Sequence, residues 1–504
     1  MPPDRHPDQQ PLVSTQSNSE PPPPSPNRIS KVPTGLGAEP LNIVILGASY
    51  AGLTVAHAFL DNTINHLRIT KSAPTYRLII ISPSTHMYWN IGAPRAIVGP
   101  DLIADEDLFV PIEPAFHRHR AHNLSIIQGE CVAMDTSART VTVEAIGSTA
   151  AKRASQVSNK RRSQIRQSVI SMTQQGQEQQ IKEPKVQTLP YHALIMATGS
   201  SAHSDLLSLH GPHLNTLGAL NAFHARVVGA KSIVVCGGGC SGVETAGQLA
   251  TYLNYSSHWP FRKRVKQPKK IILITGSDRC LSSLRSAARA KPDVKAEKIL
   301  KKLGVEVKHD VRVVAAKEGF DLTGQTKIEL SDDTSLITDL YIACTGVSPN
   351  TAYAPSSLKD KHGYIVTTST LRVDENTTAC GPRVYAIGDC AKYSRNCIED
   401  VYAGVPVLMR NLLSDLLAHE YMLASPYGGY RDRIEELQDG VYKGVDESLR
   451  LVPISRFGGV GVWKGRDVPG RVVHLLKGRD FWASKARRVV GEGVGPYPVK
   501  TAPR

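Results

Sequence analysis

Asn42-Ile43-Val44-Ile45-Leu46 leads directly into Gly47-Ala48-Ser49-Tyr50-Ala51-Gly52, and a second stretch of the same form leads from Ile233-Val234-Val235-Cys236 into Gly237-Gly238-Gly239-Cys240-Ser241-Gly242. In each, a short apolar strand ends in a glycine-rich turn that is followed by a helical apolar pattern. The first glycine permits the tight turn, a small middle residue lets the backbone approach a pyrophosphate, and the last lets the helix pack closely. One such turn also occurs in ordinary α/β loops. Two such turns in one chain predict a protein that binds two dinucleotides and transfers electrons between them.

Length and composition indicate a multidomain globular protein. The 504 residues have room for two or three domains. No run of about 18 apolar residues occurs, so no membrane-spanning segment is predicted. The chain starts Met1-Pro2-Pro3-Asp4, which does not fit a secretory signal, and Pro2 stands where N-myristoylation requires glycine. These features favour a cytoplasmic location and leave a membrane-associated or mitochondrial one open.

The net charge of +15 raises the question of nucleic-acid binding. The basic residues cluster at 152–166, 262–270 and 485–488, and the first two clusters fall in predicted loops without interleaved aromatic residues. This pattern argues against nucleic acid and leaves anionic lipid or a partner protein open. The eight cysteines form no CxxC pair, so neither a disulfide scaffold nor a metal site is predicted. Cys236 and Cys240 are interpreted as small packing residues.

Four short motifs occur in a characteristic order: the turn at 47–52, Ala197-Thr198-Gly199, the turn at 237–242 with Glu244, and Tyr385-Ala386-Ile387-Gly388-Asp389. This set resembles the two-dinucleotide-binding-domain flavoproteins, the pyridine-nucleotide-dependent oxidoreductases, over roughly residues 41–420. The stretches 88–96, 386–391, 452–461 and 477–480 are similar to apoptosis-inducing-factor homologues of the ferroptosis-suppressor type, particularly the fungal members. The resemblance implies an oxidoreductase that contains FAD, oxidises NAD(P)H and reduces a diffusible acceptor, a quinone.

The predicted fold class is α/β, with two Rossmann-like three-layer dinucleotide-binding domains and a small α+β C-terminal module. We expect a proline-rich disordered tail at 1–40, the first part of the FAD domain at 41–230 with a flexible insertion at 147–187, the NAD(P) domain at 231–348, the second part of the FAD domain at 349–424, and the C-terminal module at 425–504.

The resemblance also implies which residues contact each cofactor. FAD would contact Gly47, Ser49, Ala51, Gly52, Ser82, Thr198, Gly199, Gly388 and Asp389. Asp389 would accept hydrogen bonds from the ribityl hydroxyls, and the backbone of Val132 would touch the adenine. Arg95 would lie beside the flavin or its pyrophosphate, with a surface ion pair as the alternative. A helix starting near Gly404-Val405-Pro406 would point its N-terminus at the flavin.

NAD(P)H would contact Gly237, Gly239, Gly242 and Gly346, and Glu244 would either approach the nicotinamide or complement the helix N-terminus. The second strand of each unit departs from the usual pattern, because no acid stands directly at its end to bind ribose hydroxyls. The FAD unit has Ser82 there, a weaker acceptor than a carboxylate. In the NAD(P) unit Arg279 would attract a 2′-phosphate and Asp278 would oppose it, which leaves NADH and NADPH open.

Residues 53–130 contain no cysteine, so a dithiol placed against the flavin is not expected. Hydride would pass from nicotinamide to flavin N5, and no catalytic acid–base side chain is assigned. One alternative is a type-II NADH dehydrogenase held at a membrane surface by an amphipathic segment at 471–490, although packing of that segment on the core is the preferred interpretation. Another is a redox or death-signalling flavoprotein that binds nucleic acid. No feature marks the substrate pocket of a flavin monooxygenase.

Overall fold

A computed structural model of the protein describes residues 39–68, 72–146, 185–256, 263–284, 291–319, 324–374, 380–425, 428–445 and 449–495. The predicted tail at 1–40 and the predicted insertion at 147–187 therefore lie almost entirely outside the described residues, as does the basic cluster at 152–166. Among the described helices, none combines the length and the apolar character needed to cross a membrane.

The strands, in chain order, are β1 (Leu41–Leu46), β2 (Tyr76–Ser82), β3 (His86–Tyr88), β4 (Phe109–Pro111), β5 (Leu124–Asp135), β6 (Thr140–Ala145), β7 (Val186–Pro190), β8 (Ala193–Met196), β9 (Ser200–Ala202), β10 (Ser232–Cys236), β11 (Lys270–Ile274), β12 (Val305–Lys308), β13 (Val313–Lys317), β14 (Thr326–Leu330), β15 (Ser335–Thr338), β16 (Leu340–Ala343), β17 (Val347–Pro349), β18 (Val384–Ala386), β19 (Arg450–Ser455), β20 (Gly458–Trp463) and β21 (Arg466–Val468).

The α-helices are α1 (Tyr50–Asp61), α2 (Ala93–Ala96), α3 (Asp105–Leu108), α4 (His213–Gly229), α5 (Cys240–Leu253), α6 (Pro292–Lys302), α7 (Ile398–Ala424), α8 (Arg431–Glu435), α9 (Gly470–Val473) and α10 (Ala486–Glu492). Short 3₁₀ turns occur at Thr63–His66, Asn90–Gly92, Glu113–His119, Ser282–Leu284, Ser356–Leu358 and Ala483–Lys485, and one π-helical turn at His474–Gly478.

The larger sheet has the strand order β18-β8-β1-β2-β5-β6-β7. Its central strands are parallel and apolar because both faces are covered. Helices α1 and α7 pack on one face, and β6, β7 and a later segment that includes Tyr353, Leu358 and Ile365 pack on the other. β18 joins β8 in parallel, so a strand from late in the chain completes the sheet that β1 begins. The carboxyl ends of β1, β2, β8 and β18 meet at one edge, where Leu46 pairs with Ile81 and Met196.

The second sheet is parallel throughout, with the order β12-β11-β10-β16. Its carboxyl ends also meet, since Cys236 pairs with both Ile274 and Ala343. The antiparallel sheet β19-β20-β21 packs on α5, where a Cβ on Gly247 would lie 2.3 Å from the Ile454 carbonyl oxygen. The prediction of an α/β fold with two Rossmann-like units and a small C-terminal module is confirmed.

One predicted helix boundary is wrong. The helix expected to start near Gly404-Val405-Pro406 is α7, which begins at Ile398 and continues through Pro406. Pro406 therefore lies inside a helix of 27 residues, where it removes one backbone hydrogen bond without ending the helix. Glu399 and Asp400 in its first turn were the sequence signal for the true start, because acidic residues favour helix N-termini.

Candidate active site

A cavity of about 1430 Å³ opens where the carboxyl ends of both parallel sheets face each other. Both glycine-rich turns line it, together with the end of β18 and the start of α7. The C-terminal module closes it with Arg450, Leu451, Lys477 and Trp482. Ligands of open α/β sheets bind beyond the carboxyl ends of the strands, so this is the expected place for a dinucleotide site.

The first glycine of each turn is required by backbone geometry. Gly47 has φ of +100°, and a Cβ there would lie 2.3 Å from the Ala197 carbonyl oxygen. Gly237 has φ of +121°, and a Cβ there would lie 2.1 Å from the Cys344 carbonyl oxygen. Both turns therefore run tightly past the end of a neighbouring strand, which aims the following helix at the cavity.

The N-termini of α1 and α5 are suited to bind anions. Ser49 and Gly239 cap them, neither cap makes a side-chain hydrogen bond, and neither first turn contains an acidic residue. The free N–H groups and the helix dipole of each therefore carry uncompensated positive character toward the cavity. Both helix N-termini fit a pyrophosphate, one in each unit.

Asp389 lies just beyond β18 and lines the cavity. Its carboxylate accepts hydrogen bonds from the hydroxyls of Ser200, at 3.4 Å, and Ser394, at 3.3 Å. Burial raises the pKa of Asp389, and the two serines offset part of that rise. The carboxylate is thus a largely buried hydrogen-bond acceptor, and a ligand with several hydroxyl groups could donate to it.

The start of α7 forms another wall, through Asn396, Cys397, Ile398 and Glu399. Asp400 behind it is fully buried, and Arg395 Nη2 donates to Asp400 Oδ1 at 2.6 Å. Burial alone would raise the pKa of Asp400, but the hydrogen bonds from Arg395 and Tyr442 outweigh it and lower the pKa. The helix N-terminus therefore faces the cavity, and the charge of the buried Asp400 beside it is compensated by Arg395.

Glu244 and Lys477 form a buried ion pair at the cavity wall. Lys477 Nζ donates to Glu244 Oε1 at 2.7 Å and to the Leu451 carbonyl oxygen at 3.2 Å. The ammonium also lies 5.8 Å from the ring centroid of Trp482. Burial raises the pKa of Glu244, and the neighbouring Lys477 opposes that rise. The pair joins the NAD(P) unit to the C-terminal module inside the cavity.

The segment 477–482 is held by residues from both dinucleotide units. Arg95 donates to the carbonyl oxygens of Gly478 and Arg479, each at 2.7 Å, and its Nε donates to Gln248 Oε1. The Trp89 indole N–H donates to the Phe481 carbonyl oxygen at 2.9 Å. Within the segment, Phe481 and Trp482 are successive aromatic residues with φ of +52° and +58°. Such strain persists where surrounding contacts enforce it.

Twelve predicted site residues line the cavity: Gly47, Ser49, Ala51, Ser82, Thr198, Gly199, Gly237, Gly239, Glu244, Gly346, Gly388 and Asp389. Gly52 and Gly242 lie beneath their turns, where a Cβ would meet the carbonyl oxygens of Gly47 and Gly237. The Ser82 hydroxyl donates to the Ser84 carbonyl oxygen and accepts from the Ser84 N–H, so it is already engaged within its own turn.

Besides Gly52 and Gly242, two more predicted residues lie outside the cavity lining. Arg95 is 3% exposed and donates hydrogen bonds to Gln248, Gly478 and Arg479, so it is a buried contact to the C-terminal module and not the alternative surface ion pair. Val132 is 44% exposed beside an irregularity in the β5–β6 pairing, and Gly129, Glu130 and Cys131 take the cavity wall instead. The extra residue at that irregularity turns Val132 outward.

Sequence reasoning missed Lys477 and Trp482. The stretch 477–480 supported the family resemblance, but nothing local indicates that its lysine reaches a glutamate 233 positions away. Cysteines also line the cavity at 131, 236, 240, 344 and 397, and all are free. Burial raises the pKa of Cys240 to about 11 and that of Cys344 to about 12, so both are protonated thiols at neutral pH.

Comparison with known proteins agrees with this geometry. The model of the family described as pyridine nucleotide-disulphide oxidoreductase matches residues 41–407. The oxidoreductase phnG of Penicillium herquei is 33% identical over 448 residues, which covers 88% of this chain and 94% of that protein. Human ferroptosis suppressor protein 1 is 27% identical over 218 residues, 41% of this chain and 51% of that protein. NDH2 from Plasmodium falciparum, solved in complex with NADH, is 13% identical, with a TM-score of 0.56 over 90% of this chain and 97% of that one.

Proposed function

Because this chain belongs to the pyridine nucleotide-disulphide oxidoreductase family, we propose that it binds FAD on the β1–α1 turn and NAD(P)H on the β10–α5 turn, and that it reduces a quinone. The observation that carries the proposal is the shared cavity, which is lined by Asp389 and by two helix N-termini that have no side-chain cap hydrogen bond. The family is one of NAD(P)H-dependent flavoprotein oxidoreductases; FAD itself, its contacts and the quinone are the proposed part.

The residues of the first unit fit FAD. The backbone N–H groups after Gly47 would bind its pyrophosphate, and Asp389 would accept hydrogen bonds from ribityl hydroxyls. The N-terminus of α7 would place partial positive charge beside the isoalloxazine ring. When bound, FAD would supply the two-electron acceptor for the hydride of NAD(P)H.

The residues of the second unit fit NAD(P)H. Gly239 leaves open space where a side chain would project, so the backbone can approach a diphosphate. Glu244 lies beyond the turn on the first part of α5 and faces the cavity. With its charge matched by Lys477, it would orient the carboxamide end of the nicotinamide without leaving an unpaired buried carboxylate.

The wall contributed by the C-terminal module supports a quinone as the acceptor. Trp482, Leu451 and Val452 offer planar and apolar surface. Lys477 offers ammonium protons next to that surface, where they could hydrogen bond to a carbonyl oxygen of the acceptor. An aromatic ring with two carbonyl groups matches both features.

The test is anaerobic reduction of the purified yellow protein. NADPH or NADH should bleach the visible absorbance of the flavin, and a short-chain ubiquinone analogue should restore it. Trp482→Ala should slow the reoxidation while leaving the reduction by nucleotide unchanged. Failure of both nucleotides to bleach the flavin would overturn the proposal. Reoxidation by oxygen but not by quinone would overturn the acceptor alone.

The same chemistry at a membrane surface is a second candidate. Phe457, Val472, Leu475 and Leu476 are exposed apolar side chains on the C-terminal module. The segment 471–490 is nevertheless broken into short turns, and its Val473 and Phe481 are buried in the core. Flotation with anionic vesicles separates the two cases, since only a membrane-bound enzyme would rise with the lipid.

A further inference from the structure

The end of β11 differs from a site built for an unphosphorylated ribose. In dinucleotide-binding units an acid at the end of the second strand binds the adenosine ribose hydroxyls, whereas an arginine nearby accommodates a 2′-phosphate. Here Thr275 and Gly276 follow β11, and Gly276 lines the cavity without a side chain. The space above Gly276 is filled by a residue that directly precedes β13.

Arg312 fills that space. An ideal Cβ built on Gly276 would lie 2.9 Å from Arg312 Cγ and 3.1 Å from Arg312 Nε, so the arginine side chain passes directly over the Gly276 backbone. Arg312 also lines the cavity. Any side chain at 276 would compete with it, which explains why glycine suits this position although its φ is ordinary.

The backbone of Arg312 is anchored on both sides. Its N–H donates to Ser331 Oγ at 3.0 Å, and its carbonyl oxygen accepts from the Ser331 N–H at 2.9 Å. The preceding Val311 N–H donates to the Thr275 carbonyl oxygen at 3.2 Å. Arg312 is therefore held in a set position relative to the end of β11. Within the part of the chain that the structure describes, its guanidinium forms no ion pair.

Arg279, the residue that the sequence favoured for this role, is already engaged. It pairs with Asp293 at 3.9 Å and with Glu297 at 3.4 Å, and Glu297 also accepts from the Cys280 N–H. Neither Arg279 nor Asp278 lines the cavity. Two carboxylates on α6 thus offset the charge of Arg279, while Arg312 keeps its charge at the cavity edge.

We propose that Arg312, over Gly276, forms a subsite for the 2′-phosphate of the adenosine ribose, so that this chain prefers NADPH to NADH. The inference rests on the proposed binding of NAD(P)H at the β10–α5 turn. The planar guanidinium presents paired N–H donors that match phosphate oxygens, and it stays charged at every relevant pH.

Calorimetric titration of the full-length protein with adenosine 2′,5′-bisphosphate and with 5′-AMP tests this without relying on turnover. We expect the wild type to bind the bisphosphate at least about 10-fold more tightly, the scale of a charged hydrogen bond. Arg312→Gln should reduce that ratio to about 1–3, and added salt should reduce it for the wild type. Arg279→Gln is the matched control and should leave the ratio unchanged.

Gly276→Glu is the second variant, since a carboxylate there would displace Arg312 and repel the 2′-phosphate. This variant should bind 5′-AMP more tightly than adenosine 2′,5′-bisphosphate. Equal binding of both ligands by the wild type would overturn the subsite, as would an unchanged ratio in Arg312→Gln. Those results would leave flavin reduction by NADH intact. Failure of the proposed function would instead appear as no flavin reduction by either nucleotide.

Discussion

Glu244 and Lys477 show how a buried charge is tolerated at this site. The two side chains form an ion pair and are largely shielded from solvent, at 5% and 13% exposure. A buried ion pair contributes little net stability compared with apolar residues, but losing one partner is costly because the other charge is left uncompensated. The pair is thus better explained by the cavity it faces than by the stability of the fold.

Lys477→Met should therefore destabilise the protein by about 3 kcal/mol at pH 8. The unpaired Glu244 would then have a pKa even further above its ordinary value. As the pH rises from the ordinary pKa of a glutamate to that raised pKa, ionisation of the buried carboxyl group would lower the stability of the folded variant. The loss should shrink toward pH 5, where Glu244 becomes protonated. Urea unfolding at both pH values measures it.

The double variant Glu244→Gln, Lys477→Met provides the control, because it removes both charges. Its stability at pH 8 should lie within about 1 kcal/mol of the wild type. Equal losses in the single and double variants would contradict the coupling between the two residues.

Asp389 gives a second pH-dependent prediction. Burial raises the pKa of Asp389 in the folded state. The carboxyl group therefore favours the folded state below its unfolded pKa of about 3.9. It disfavours the folded state as the pH rises through the folded-state pKa. Asp389→Asn should therefore stabilise the flavin-free protein by roughly 1 kcal/mol at pH 7, with no gain near pH 3. Thermal melts at the two pH values check this.

The same variant should bind FAD about 10-fold or more weakly, since an amide is a poorer acceptor than a carboxylate for hydroxyl groups. Equilibrium dialysis of FAD against the two proteins measures the difference. Unchanged FAD affinity would remove Asp389 from the proposed flavin site.

Among the structural elements, the segment 477–482 and helix α7 do most to shape the cavity. The segment is irregular and strained, and it is held by Arg95 and Trp89 of the FAD unit and by Glu244 of the NAD(P) unit. Helix α7 presents its N-terminus at another part of the cavity wall. Each element is positioned by partners far away in the sequence, so its contribution depends on those partners remaining in place.

Arg95→Leu should loosen that segment and lower stability by about 2–4 kcal/mol, since two carbonyl oxygens and Gln248 lose their donor. Limited trypsin digestion should then cut faster at Lys477 and Arg479. Arg487→Ala is a suitable control, because Arg487 is 64% exposed and its pairing with Asp107 is a surface contact. It should cost at most about 0.5 kcal/mol. Equal protection of the segment in both variants would argue against the anchoring role of Arg95.

Across the whole molecule, the cavity is a junction of three parts. The two parallel sheets supply the turns and the C-terminal module supplies the closing wall, so none of the parts alone completes the site. A ligand that contacts all three should stabilise the molecule as a unit, because it binds the folded protein and not the separated parts.

Removal of the flavin should consequently lower the melting temperature by several degrees. Adding FAD at about 100 times its dissociation constant should raise the free energy of unfolding by about 2.7 kcal/mol. Riboflavin, which lacks the pyrophosphate and adenosine, is the control and should restore much less. Differential scanning fluorimetry of the stripped protein measures both. Identical recovery with riboflavin would contradict binding of the pyrophosphate at α1.

Several features followed from the sequence because their causes are local. A strand that is apolar along its whole length, a glycine that must adopt positive φ and a helical pattern after it all lie within about a dozen consecutive residues, as at 42–60 and 233–253. The α/β fold, both turns and the placement of Asp389 after a short strand could therefore be predicted. The start of α7 is not where Pro406 suggests, because the acidic first turn at Glu399 and Asp400 marks the helix N-terminus and Pro406 lies inside the helix.

Tertiary structure supplied what depends on separate parts of the chain meeting. Lys477 becomes part of the site only because the C-terminal module packs on α5, and Arg95 becomes buried only because that same packing covers it. Arg279 is engaged by carboxylates of α6, whereas Arg312, which directly precedes β13, lies over Gly276 at the end of β11. Local sequence encodes the backbone shapes that cradle dinucleotides, whereas the charges around them are set by contacts between distant segments, which no local pattern records.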